Sequence, residues 1–125
     1  MAGPCELLYD RSRFAEGRVE VKPLQEIQNG VFEWSRRNFG DQPSHRPLLG
    51  LVEEVGELCH AHLKREQGIR TNEDHVLQQI DAIGDIMIYL LDYCGREGIS
   101  LEAALEETWA EVSKRDWRNK KETGV

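Results

Sequence analysis

The stretch Glu53-Glu54-Val55-Gly56-Glu57, followed 24 residues later by Asp81-Ala82-Ile83-Gly84-Asp85, decides the fold of this chain. At 3.6 residues per helical turn, Glu54 and Glu57 lie about 60° apart on one helix face, and the two aspartates share a face of the next helix. If the two helices run antiparallel, four or five carboxylates converge. Like charges repel unless a cation neutralises them, and oxygen ligands favour Mg2+ or Mn2+ over Zn2+. The pattern predicts a metal site between these helices.

A simpler interpretation stands beside this one, because carboxylates four residues apart on a helix usually form a solvated face. Asp85 fits that interpretation poorly. It is followed by the apolar run Ile86–Leu91, which covers every side of a helix and predicts burial all round. A carboxylate that leads into such a segment needs a partner or a metal.

Apolar residues at helical spacing also occur before and around the first acidic stretch. From Pro23 an apolar stripe predicts a first helix that ends near Gly40. A second helix begins near Pro47, carries apolar residues on one side and its acids on the other, and ends at Gly68. The stripe of the first helix comprises Leu24, Ile27, Val31, Trp34 and Asn38.

Two further helices follow the second. Thr71, with Asp74 at capping-box spacing, opens a third helix that runs to about Gly95. Ser100 is the predicted N-cap of a fourth helix. One face of that helix carries Leu101, Leu105, Thr108 and Val112.

No long segment alternates as a strand does, so the predicted fold is an all-α antiparallel four-helix bundle. We divide the chain into an N-terminal arm at residues 1–22, with a short strand at 18–21, a helical domain at 23–121 and a C-terminal tail at 122–125. The second helix needs its apolar side for the core and its acidic side for a site, and the third helix is apolar all round. Four short helices of one chain cannot cover all of these surfaces. We therefore expect at least a homodimer, with dimer or tetramer left open.

Composition narrows the functional class. The 125 residues suit one domain, and 23 acidic against 16 basic residues argue against a nucleic-acid polymer as partner. The three cysteines show neither disulfide nor zinc spacing. The start lacks a signal-peptide pattern and no segment is long and apolar enough to span a membrane. We expect a cytoplasmic protein that does not bind membranes.

The segment Leu49-Gly-Leu-Val-Glu-Glu-Val-Gly-Glu-Leu58, together with residues 81–90, resembles the MazG-like all-α nucleoside triphosphate pyrophosphohydrolases. The signature of that family is an EExxE helix followed by an ExxD helix. The stretch from Ile27 through Trp34 to Phe39 and the stretch 114–117 are also similar, so the resemblance covers roughly residues 24 to 120.

The resemblance implies an enzyme that uses Mg2+, or Mn2+ as a substitute, to hydrolyse a nucleoside or deoxynucleoside triphosphate to the monophosphate and pyrophosphate. Glu54, Glu57 and Asp85 match the metal ligands of the family, and Glu54 counts with Glu53 as a catalytic candidate. Glu53 is a further ligand or the base that orients water.

One position departs from the family pattern, because the first acid of the ExxD motif falls on Ala82. Asp81 is the substitute metal ligand, although it lies about 100° around the helix from position 82. The number of bound metal ions therefore stays open.

The resemblance also suggests substrate contacts. Trp34 and Asn38 would stack on and hydrogen-bond the base, although a Trp on an apolar stripe often packs in a core. Lys114, Arg115 and Lys120 would meet phosphate oxygens, although basic residues at a helix end also complement the helix dipole. Asp116 would orient a neighbouring Lys or Arg.

Two other functions compete with hydrolysis. Glu57-Leu-Cys-His60 is a formal ExxH of the kind found in di-iron carboxylate bundles, but that class needs a second ExxH on another helix and the chain has none. His60 is then a surface or interface residue. The second competitor is a nucleotide-binding or sensing module that keeps the family fold with weakened catalysis, which the change at Ala82 favours.

Overall fold

The structure, a computed structural model, describes residues 22–125. Within that range the chain is all-helical and contains no strand, which confirms the predicted fold class. The expected strand at 18–21, and all of the expected arm except Lys22, lie outside the described residues. The four helices are α1 (Leu24–Phe39), α2 (His45–Gln67), α3 (His75–Glu97) and α4 (Leu101–Val112).

The helix ends follow local capping chemistry. Gly68 and Gly98 end α2 and α3 in the left-handed region, with φ of 66° and 69°, where glycine carries no Cβ penalty. Ser100 accepts a hydrogen bond from the Ala103 N–H, as its predicted N-cap role requires. The prediction for Thr71 is wrong: Asp74 is the N-cap of α3, because its own carboxylate accepts the Leu77 N–H at 2.9 Å.

Helices α2 and α3 form an antiparallel hairpin. At one end Ser44, next to the start of α2, donates a hydrogen bond to Glu97 at the end of α3. At the other end the guanidinium of Arg65 donates to Gln79 at 3.3 Å. The acidic stretches of the two helices are consequently opposite each other, as the sequence predicts.

Helix α1 also runs against α3. Gln28 donates to the Ile99 carbonyl at 2.6 Å, and Ser35, about two turns further on, donates to Asp92 at 2.7 Å. Helix α3 is therefore the central element, with α1 and α2 both antiparallel to it. Helix α4 packs mainly on α1 and has no buried residue.

The face of α2 that meets α3 differs from the prediction. Its buried residues are Pro47 and Ala61, and the ring of Tyr89 on α3 lies against Gly50. Glu54 shares this stripe of the helix, at a spacing of seven residues from both Pro47 and Ala61. Small residues let the two helices approach closely, so the acid-bearing side faces α3. Of the side predicted to be apolar, Leu48, Val52 and Val55 are exposed, whereas Leu51 and Leu58 are half-buried.

Helix α3 is not buried all round. Its buried residues are Ala82, Leu91, Asp92 and Cys94, whereas Ile83 is 52% exposed. Met87 and Ile88 are also exposed. Among residues 22–125 only α1 and α2 pack extensively on α3, so these residues leave one apolar face of α3 uncovered.

A buried ion pair joins α1, α3 and the loop between α1 and α2. Arg96 and Asp92 on α3 pair at 2.9 Å, with side chains only 6% and 8% exposed. The Arg96 guanidinium also donates to Ser35 on α1 and to the carbonyls of Gly40 and Gln42 in the loop. Satisfied donors make such a pair tolerable in a core. None of the helices in residues 22–125 combines the length and hydropathy needed to span a lipid bilayer.

Candidate functional site

Two cavities lie on either side of one pair of carboxylates. The first, which we call the apolar cleft, has a volume of about 540 Å³ and lies between α1, α2 and α3. The second, the acid cavity, has a volume of about 380 Å³ and lies between α2 and α3. Glu54 and Asp85 line both cavities.

The apolar cleft combines a hydrophobic wall with a few polar groups, the usual composition of a small-molecule site. Its acidic end is completed by Glu53. The loop and first turn of α2 contribute Gln42 and Arg46. Its principal apolar lining residues are Val31, Trp34, Phe39, Leu49, Ile88 and the ring of Tyr89.

The acid cavity brings together four carboxylates that the sequence assigned to a metal: Glu54, Glu57, Asp81 and Asp85. Glu73 adds a fifth acid, and the two basic groups in its wall are His60 and Arg70. The His60 side chain, expected at a surface or interface, is exposed and faces this cavity.

The charges of this cluster act on Glu54. Partial desolvation, followed by the charges of Asp85, Glu57 and Glu53, raises the pKa of Glu54 above its ordinary value. Each of these causes disfavours the ionised carboxylate. The folded chain thus holds Glu54 in a field that a cation or a proton would relieve.

The donor set fits a hard divalent cation by its chemistry. The four carboxylates supply only oxygen, the ligand type of Mg2+ and Mn2+. The repulsion of Glu54 by the neighbouring carboxylates is a second feature that a bound cation would relieve. In the part of the chain that the structure describes, no three His, Cys, Asp or Glu side chains converge closely enough to form a metal-binding group.

Ala82 occupies the position at which the resemblance leads us to expect the first acid of an ExxD motif. Ala82 is 4% exposed and lies in the wall of the acid cavity. Its neighbour Asp81 lines the same cavity and also borders an outer groove along α3. Asp81 is therefore on the correct side of α3 to act as the substitute acid, despite its different angle on the helix.

The two predicted base contacts have different outcomes. Trp34 is 46% exposed and lines the apolar cleft, so it is not a core residue. Its ring meets Phe39 edge to face, with centroids 5.7 Å apart. Asn38 does not line the cleft, because its amide donates to the Trp34 carbonyl one turn back at 2.8 Å.

The predicted phosphate contacts lie elsewhere. Lys114, Arg115 and Lys120 follow α4 and line neither cavity, and Lys114 pairs with Glu111 at 3.2 Å. The expectation for Asp116 is wrong. Its carboxylate accepts hydrogen bonds from the side chain and N–H of Asn119 and from the Arg118 N–H, which hold its pKa below the ordinary value.

Sequence reasoning missed Arg46 and Arg70. Arg46 precedes Glu53 by seven residues on α2, so helical spacing could have placed it on the same face. Arg70 lies in the loop between α2 and α3, and its backbone is left-handed with φ of 52°. No sequence signal marks an arginine for that conformation.

Comparison with known protein families, with curated proteins and with solved structures found no match to this chain.

Proposed function

We propose that this chain is a MazG-like, Mg2+-dependent nucleoside triphosphate pyrophosphohydrolase, which hydrolyses a nucleoside or deoxynucleoside triphosphate to the monophosphate and pyrophosphate. One observation carries the proposal: Glu54 and Asp85 line both an apolar cleft and an acid cavity. A nucleoside triphosphate likewise has two parts, a flat and largely apolar base and a negatively charged chain of phosphates. The cleft is within the size range of pockets for such ligands.

In this proposal the acid cavity holds Mg2+, or Mn2+ as a substitute, through Glu54, Glu57, Asp85 and Asp81. When bound, the ion would supply charge neutralisation for the phosphates. The raised pKa of Glu54 supports this assignment, since repulsion among the acids decreases when a cation is shared.

A carboxylate of the site also accepts the proton of the attacking water. One water is consumed: its oxygen bonds to one phosphorus of the α–β anhydride, and the bridging oxygen leaves with the bonding electron pair. Glu53 or Glu54 accepts the water proton.

The apolar cleft binds the base in this proposal. Trp34 presents a half-exposed ring to the cleft, and its edge-to-face contact with Phe39 fixes the ring orientation. The amide of Asn38 donates to the Trp34 carbonyl, and the base contact that we predict for Asn38 stays a prediction.

We further propose that the protein acts as a homodimer or homotetramer. Large exposed apolar surfaces mark contact sites, and the outward sides of α2 and α3 carry such a surface. Lys114, Arg115 and Lys120 line neither cavity of their own chain, so a second subunit is where they would meet phosphates. The exposed apolar residues of the two helices include Leu48, Val52, Val55, Leu63, Leu77, Ile83, Met87 and Ile88. The free thiols of Cys59 and Cys94 suit the reducing cytoplasm in which we place the enzyme.

A nucleotide-binding or sensing module is the second candidate function. The observation that favours it is Ala82, a buried methyl group in the wall of the acid cavity where the family carries an acid. One carboxylate fewer weakens metal binding without closing the apolar cleft. Such a module would bind nucleotide with little or no turnover.

The test is pyrophosphate release from a panel of ribo- and deoxynucleoside triphosphates with Mg2+ or Mn2+. Glu54→Gln and Asp85→Asn should each lower kcat by at least about 100-fold, the usual range for a lost acid–base or metal-binding group. Glu66→Gln is the matched control, because Glu66 lies on the same helix, pairs with His62 at the surface and lines neither cavity. Full activity in both site variants would refute the proposal; binding without turnover in the unmodified chain would establish the sensing module.

A further inference from the structure

Arg70 is the arginine in the wall of the acid cavity, and no step described above uses it. The cavity also contains five carboxylates, including Glu73. Five negative charges with one arginine and one histidine repel a free phosphate chain. Any polyphosphate that enters this space needs cationic groups that face it.

The guanidinium of Arg70 is available for a ligand. Its ion pair with Glu73 spans 3.9 Å, which is too long for a hydrogen bond. Across residues 22–125 the guanidinium makes no hydrogen bond, and its side chain is 53% exposed. Arg96, by contrast, donates to four oxygen atoms, two on side chains of α1 and α3 and two on carbonyls of the loop after α1. A planar fork of five donors suits the oxygens of a phosphate.

The loop holds Arg70 in place at both sides. Before it, the Ile69 N–H donates to the Lys64 carbonyl, and the His75 ring nitrogen Nε2 lies 2.9 Å from the Ile69 carbonyl. After it, the Glu73 N–H donates to the Arg70 carbonyl at 3.0 Å. These bonds maintain a left-handed backbone that an arginine rarely adopts.

The order of the groups along the site gives the direction of the substrate. The apolar cleft lies on one side of Glu54 and Asp85, and the cavity with Arg70 lies on the other. A nucleotide whose base occupies the cleft therefore directs its terminal phosphates toward Arg70.

We propose that Arg70 binds the β- and γ-phosphates of the substrate and the pyrophosphate product, which makes it a determinant of specificity for triphosphates. This inference rests on the proposed function, since it names the part of the site that holds the leaving group. Pyrophosphate leaves with its charge on the Arg70 side, and the monophosphate remains in the cleft.

The experiment measures binding of magnesium pyrophosphate, and of Mg2+ alone, by titration calorimetry. Arg70→Gln should weaken pyrophosphate binding by about 10- to 100-fold, the range expected for charge-assisted hydrogen bonds, and should leave Mg2+ binding within about twofold. Arg70→Gly removes the guanidinium while suiting the left-handed backbone, so it distinguishes loss of the charge from a distorted loop. Arg65→Gln is the control, because Arg65 bonds Gln79 and lines neither cavity.

The outcomes separate this inference from the proposed function. If the unmodified chain turns over nucleotide, and pyrophosphate binding is weakened in the two Arg70 variants but not in Arg65→Gln, both the proposed function and the role of Arg70 are supported. Turnover with equal pyrophosphate binding in Arg70→Gln and Arg65→Gln overturns the role of Arg70 and leaves the function standing. Pyrophosphate binding that depends on Arg70 without turnover of any nucleotide supports the site and refutes the hydrolase. Absence of pyrophosphate binding in the unmodified chain overturns the inference.

Discussion

Glu54 on α2 and Asp85 on α3 lie on the wall that the apolar cleft shares with the acid cavity. The negative charge of Asp85 is one of the causes of the raised pKa of Glu54. The hairpin of α2 and α3 thus brings two acids from distant parts of the sequence into electrostatic contact. The consequences of this contact, and of the packing that maintains it, can be measured.

Replacement of Glu54 by Gln should raise the melting temperature of the metal-free protein. The pKa of Glu54 in the folded chain exceeds its ordinary value, so this group stabilises the fold below its ordinary pKa and that contribution is lost as pH rises through the folded pKa. At pH 7 the neutral Gln relieves the repulsion. The same variant should show a smaller rise in melting temperature on addition of Mg2+, measured by scanning calorimetry. A lower melting temperature without metal would contradict this account; Glu66→Gln should change neither quantity.

Two glycines of α2 should respond oppositely to alanine. A Cβ at Gly50 would lie 2.6 Å from Cζ of Tyr89, whereas a Cβ at Gly56 would meet nothing within 4 Å. Gly50→Ala should therefore reduce the free energy of unfolding by about 1–3 kcal/mol through overpacking. Gly56→Ala should increase it by about 0.5–1 kcal/mol through helix propensity. Urea denaturation measures both, and similar values for the two variants would refute the close approach of α2 and α3.

Loss of the buried arginine should be strongly destabilising. Arg96→Met leaves the Asp92 carboxylate buried without its partner, so we expect a loss of about 3–5 kcal/mol in the free energy of unfolding. Arg36→Met is the control, because Arg36 pairs with Asp41 at the surface at 3.3 Å and should contribute less than about 1 kcal/mol. Equal losses in chemical denaturation would show that burial of the pair has no special effect.

Stability should fall at alkaline pH partly through Cys94. Burial raises the pKa of this thiol above its ordinary value, so the unfolded chain releases the proton at a lower pH than the folded chain does. The contribution of Cys94 is present below the ordinary thiol pKa and is lost as pH rises through the folded pKa. The melting temperature should therefore decline more steeply with pH in the unmodified chain than in Cys94→Ala. The measurement runs from about pH 8 to 11, which brackets the ordinary thiol pKa. Parallel declines would exclude this role.

Local sequence signals determined the elements of the fold. Periodic apolar residues, the stop at Gly68 and the Ser100 N-cap act over a few residues, so the helices could be predicted without the tertiary structure. The end of α3 was predicted near Gly95, and the structure places it at Glu97, before Gly98. The facing carboxylates of Glu54 and Asp85 followed as well, because a short loop between two helices requires an antiparallel return. Thr71 failed as a cap because the nearer Asp74 carboxylate accepts the N–H of Leu77.

Only the tertiary structure decided which helix faces meet and which side chains share a cavity. The periodicity of α2 shows how apolar each of its faces is, but it does not show which face contacts α3. The small residues Gly50, Ala61 and Ala82 let the acid-bearing face of α2 pack closely against α3. Arg70 lines the acid cavity from a loop with a left-handed backbone, which no residue pattern in the sequence indicated. The basic residues after α4 line neither cavity because α4 packs mainly on α1, a contact between helices far apart in the chain that no local pattern encodes.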